Sequence, residues 1–141
     1  MDASTGGQTY RVHDRAGLSG IRKVIRSQLE AARCHPSDCF DCLIAVTEAC
    51  THALLHGASS HPDERQPRLS WSIEDHQIRF CLEDLSTQTW ARSAHPARSE
   101  EDPLLAATDG YRVTLMRELM DSVEIARGPS GTRVVLTKRF A

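Results

Sequence analysis

The chain has 141 residues, 40% hydrophobic and 26% charged, enough for one ordinary globular domain with a real core and against disorder throughout. A formal net charge of -2 with scattered Lys and Arg leaves no basic stripe for nucleic acid, and no apolar run approaches membrane-spanning length. The opening Met1 to Gly7 lacks an export pattern and the five cysteines are an odd number, so the reading is a cytoplasmic protein with reduced thiols whose partners are proteins or small molecules.

Residues 1–8 read as a flexible terminus and 9–141 as a single domain. Tyr10 to His13 is a short strand candidate. Ser19 is a possible cap for a first helix with Leu18, Ile21, Val24, Ile25, Leu29 and Ala32 at helical spacing, ending near Cys34 before Pro36. A second helix of about five turns starts at Ser37 or Asp38, either of which can accept bonds from free backbone N–H groups, and stops at Gly57. After loop chemistry from Ala58 to Pro67, Arg68 to Glu74 and Gln77 to Glu83 alternate apolar and polar residues around Asp75-His76, the pattern of an antiparallel hairpin.

The stretch 87–108 carries Pro96, Pro103 and several charges without a sustained period, and a compact domain seldom keeps so long a connection without a purpose such as a lid. Asp109-Gly110 precedes a helical run through Val113, Leu115, Met116, Leu119 and Met120. Two strands, Ser122 to Ala126 and Thr132 to Thr137, then flank the turn Gly128-Pro129-Ser130-Gly131. The order β-α-α-β-β-lid-α-β-β predicts a two-layer α/β sandwich, with helices on one face of a mainly antiparallel, mixed sheet.

The most informative segment lies in the second helix. Glu48, His52 and His56 follow one another at i, i+4 and fall in one stripe at 100° per residue. Cys39, Phe40, Leu43, Val46, Cys50, Ala53 and Leu54 fall on the other side, where a core-facing stripe belongs. A carboxylate and two imidazoles are therefore expected to face away from the core.

With Glu48 in that helix, Asp84 at a strand end and Gly110 opening the later helix, the order resembles the nucleotide-binding fold shared by gyrase, histidine kinases and MutL. More narrowly it is similar to the RsbW/SpoIIAB family of bacterial anti-sigma factors. The family's E-x-x-x-N-A-x-x-H helix is matched by Glu48 to His56 except that His52 stands at the Asn. Its D-x-G-x-G is matched at Asp84, with Ser86 in place of a glycine. Its G-x-G-L phosphate loop is matched by Gly110-Tyr111-Arg112-Val113, with Arg112 in place of the second glycine, followed by Asp121-Ser122-Val123. Gly131-Thr132-Arg133-Val134 is similar to the closing strand.

The resemblance implies a protein that sequesters a sigma factor and, in active members, transfers phosphate from Mg-ATP to a serine of a STAS-type anti-anti-sigma partner, commonly as a homodimer. It places Glu48 as general base, a role a carboxylate can fill by taking the serine proton, although a solvated helix glutamate would look the same. It places Asp84 against the adenine amino group, where a hairpin-end aspartate bonded to local backbone is the alternative. His52, His56, Ser86, Gly110, Arg112, Val113 and Thr132 complete the nucleotide set. At the Mg²⁺ position an imidazole is a poor substitute for an amide oxygen, since that ion prefers oxygen ligands in a tight octahedron. Ser86 and Arg112 add bulk where the family has none, so weakened ATP binding and slow or absent phosphotransfer are expected.

A separate pattern, His35, Cys39 and Cys42 in H-x3-C-x2-C spacing, is similar to the motif of zinc-binding anti-sigma factors and uses ligand types that zinc takes. The same cysteines near the start of a helix also read as small core residues.

Overall fold

The computed structural model describes residues 9–12, 14–56, 67–84, 112–128 and 131–140. The elements are β1 (Thr9–Arg11), α1 (Arg15–Ala31), α2 (Pro36–His56), β2 (Arg68–Glu74), β3 (Gln77–Asp84), α3 (112–119), β4 (Ser122–Gly128) and β5 (Gly131–Arg139). The expected 1–8 terminus, His13, the Gly57 stop, the 87–108 connection and the turn residues Pro129 and Ser130 lie outside the described residues.

The five strands form one sheet in the order β1-β2-β3-β5-β4. Every pairing is antiparallel, so among the described residues the sheet is wholly antiparallel rather than mixed. Alternation decides its faces. Leu69, Trp71 and Ile73 of β2, Ile78, Phe80 and Leu82 of β3, and Val134 and Leu136 of β5 are buried and join the helices in one core. Ser70, Ser72, Arg79, Cys81 and Arg133 point to the opposite face, where they line an open hollow. α2 packs on α1 and over β3 and β5.

The β2–β3 hairpin turns on Asp75 and His76, both with positive φ (50° and 59°), as a two-residue type I′ turn requires. β3 runs one residue past the expected Glu83, which brings Asp84 into register with Thr132 of β5. Tyr10 stacks on Trp71 at 5.0 Å, and Trp71 Nε1 donates to Gln28 Oε1 at 2.6 Å, tying the sheet to α1.

Local chemistry corrects several expected boundaries. Asp14, not Ser19, caps α1: its Oδ1 accepts from the Gly17 N–H at 2.7 Å and its carbonyl accepts from Leu18. The weak helix formers Gly17 and Gly20 disguise that first turn. α1 ends at Ala31, where Cys34 N–H bonds to Leu29 O and Arg33 N–H to Glu30 O, both at 3.0 Å, with Arg33 at φ 61°. This is a Schellman motif with arginine where glycine is usual. α2 starts at Pro36, earlier than Ser37 or Asp38, because His35 acts as the cap and accepts the Ser37 N–H at Nδ1 (3.1 Å).

Two side chains of α2 also depart from the helical projection. Phe40, assigned to the core stripe, is 63% exposed, while His52, assigned to the outward stripe, is fully buried. The projection supposes one apolar face, but α2 is enclosed by α1 on one side and the sheet on the other, so its buried arc widens to take in the imidazole.

Candidate functional site

Three polar or charged residues are buried among the described residues: His52 on α2, Asp84 at the end of β3 and Thr132 at the start of β5. Each is on the list of nucleotide-site residues drawn from the sequence. β3 places Asp84 on the inward face by plain alternation with Ile78, Phe80 and Leu82, and β5 sets Thr132 directly across from it. An apolar strand would normally continue with another aliphatic residue there. Ending two neighbouring strands of the core face in a carboxylate and a hydroxyl costs free energy unless something bonds to them. The Thr132 Oγ1 is buried and has no hydrogen-bond partner among the described residues, so this side of the site offers a donor and acceptor to a ligand.

The second part of the site joins α2 to α3. Arg112, the first described residue of α3, places Nη1 3.4 Å from Glu48 Oε2; the arginine side chain is 16% exposed and the glutamate 30%. The contact is an ion pair without the alignment of a hydrogen bond, and Nη1 is buried with no hydrogen-bonded partner among the described residues. Val113 and Met116 hold the helix in the core, which fixes the backbone that carries Arg112. Glu48 thus faces a guanidinium, and His52 follows one turn later on α2.

The structure therefore brings Glu48 and Arg112 together, sets Asp84 beside Thr132 and buries His52 on the helix that packs over both strands. Val113 is a core residue. The His56 side chain, Ser86 and Gly110 lie outside the described residues. The Glu48–Arg112 pair was missed by sequence reasoning, which treated the two residues as separate motif positions. The clue was a base and an unscheduled arginine, both assigned to one nucleotide site.

The H-x3-C-x2-C pattern is occupied by other chemistry. His35 Nδ1 serves the α2 cap and meets Ser37 Oγ at 2.8 Å, while Cys39 and Cys42 are buried. Burial pushes the Cys34 thiol up to about 11 and the Cys50 thiol up to about 12, and raises Cys39 and Cys42 in the same direction. No group of three or more His, Cys, Asp or Glu side chains arranged to hold a metal ion is present among the described residues. No helix among them is long and apolar enough to cross a membrane.

The residues differ in how they fit the Mg-ATP that the resemblance implies. Asp84 and Thr132 suit an amino donor and a ring acceptor, whereas a buried imidazole and a guanidinium do not suit an oxygen-seeking Mg²⁺.

Comparison with known proteins bears on the fold and the family. No curated protein matches the chain. The chain is similar in fold to a chain in the crystal structure of the SiaB-SiaC complex from Pseudomonas aeruginosa, with a TM-score of 0.64 at 10% identity over 94% of this chain and 89% of that one. The family described as the histidine kinase-like ATPase domain matches residues 13–138, nearly all of the sequence, and the chain belongs to that family.

Proposed function

We propose that this protein is a bacterial regulator of the anti-sigma type, which acts by holding a STAS-type anti-anti-sigma partner, a sigma factor or both, with ATP binding and serine-kinase activity weakened or lost. The observation that carries this reading is the ion pair between Glu48 and Arg112: the residue in the place of the general base is engaged by a cation contributed by the altered phosphate loop. An oxygen turned toward a guanidinium in this way is drawn from the position where it would meet a serine hydroxyl. The buried His52 in place of the magnesium anchor works in the same direction. The similarity to a chain from a two-protein complex supports a partner-binding role. A homodimer through the outer edge of β1, which pairs with β2 on one side only among the described strands, is the assembly that accompanies this reading.

The decisive experiment mixes the purified chain with a STAS-domain protein from the same genome and γ-labelled Mg-ATP. A stoichiometric complex with little or no label on the partner is expected. Efficient labelling that disappears in Glu48→Ala would establish the second reading, an active protein-serine kinase, which the retention of Glu48 favours.

A further inference from the structure

Building on the reading of these residues as a nucleotide site, we propose that the site takes a nucleoside triphosphate without a divalent cation, with Arg112 supplying the positive charge and Glu48 competing with the phosphates for the guanidinium. Magnesium ordinarily spreads the charge of a triphosphate and needs oxygen ligands to hold it. Here the anchor position is a buried imidazole, which as a neutral group is a poor magnesium ligand and as a cation repels the ion.

Arg112 can do the neutralising directly. A guanidinium offers five donors in a planar fork that matches phosphate oxygens and needs no octahedral shell. It lies on α3, and its Nη1 is buried with no hydrogen bond among the described residues beside the 3.4 Å ion contact to Glu48. The buried Nη1, which makes no hydrogen bond to Glu48, has a donor open to a further acceptor. An arriving phosphate supplies it and displaces Glu48. The buried Thr132 hydroxyl, unbonded among the described residues, provides an independent polar contact at the strand end.

The experiment is calorimetric titration of the full chain with ATP, once in EDTA and once in excess Mg²⁺, with thermal melts to establish that each variant is folded. ATP should bind at least as tightly in EDTA as in Mg²⁺. Arg112→Gly should weaken the EDTA binding tenfold or more, whereas Glu48→Gln, which keeps the shape and removes the competing charge, should tighten it about threefold or more. Binding that requires Mg²⁺, binding indifferent to Arg112→Gly, or no ATP binding in either medium overturns the proposal. None of these results touches the partner complex, which is measured separately, so failure here is distinguishable from failure of the regulatory reading.

Discussion

Thr132 shows what a ligand site costs a small domain. Its hydroxyl is buried at the edge of the core with no hydrogen bond among the described residues, and a buried unsatisfied hydroxyl costs about 1–3 kcal/mol. Thr132→Val keeps the shape and removes the polar atom, so it should raise the urea midpoint, by about 1 kcal/mol of stability, while weakening ATP binding. Arg33 is a second residue where conformation outweighs chemistry. It closes the Schellman motif at φ 61°, in the left-handed region that costs an L-residue about 1–2 kcal/mol. After allowance for the extra freedom of glycine in the unfolded chain, Arg33→Gly should stabilise the protein by about 0.5–1 kcal/mol in chemical denaturation.

Among the elements, the hairpins and helices announce themselves through period: alternation in β2 and β3, and the i, i+3, i+4 spacing in α1. Asp84, His52 and Thr132 could be listed from motif order. What could not be read was enclosure. Phe40 and His52 trade their expected environments because burial around α2 depends on how many neighbours surround the helix, which no local period encodes. The sequence assigns Glu48 and Arg112 to one site, but their pairing depends on the packing of α3, which decides which α2 side chain the arginine meets.

Lys138 is a comparable long-range tie. From β5 it donates to the Leu119 carbonyl at the end of α3 (2.7 Å) and faces Asp41 and Asp38 near the start of α2 at 3.4 and 3.9 Å. The carbonyl bond satisfies a helix C-terminus with a cation, and the two carboxylates are partly exposed and count for less. Lys138→Met, which keeps the apolar stem, should cost about 1–2 kcal/mol in denaturant unfolding.

At the level of the whole molecule, four of the five cysteines, Cys34, Cys39, Cys42 and Cys50, are buried and Cys81 is partly exposed. A thiol reagent at about pH 8 should therefore modify Cys81 first and reach the others only on unfolding. The buried thiols titrate above the ordinary 9.0, Cys34 at about 11 and Cys50 at about 12, chiefly because burial disfavours the thiolate. The unfolded chain sheds these protons at lower pH than the native one, so the stability they contribute is complete below about pH 8 and declines as pH rises toward the folded values. Urea midpoints measured from about pH 8 to about pH 10 should fall, and replacing Cys50 with Ala should flatten that slope.

The strand order holds a last consequence. β2 with β3 and β4 with β5 are each closed by neighbouring sequence, whereas the β3–β5 seam joins Asp84 to Thr132 across a long intervening chain. Two prefabricated half-sheets must find each other, and that encounter carries the loop-closure entropy and sets the pace of folding. Until they meet, the edges of both halves stand open beside Phe80 and Leu136, an invitation to pair with another copy on a crowded ribosome. Since the carboxylate and hydroxyl straddle that seam, any molecule gripping both would act as a clasp on the finished zipper.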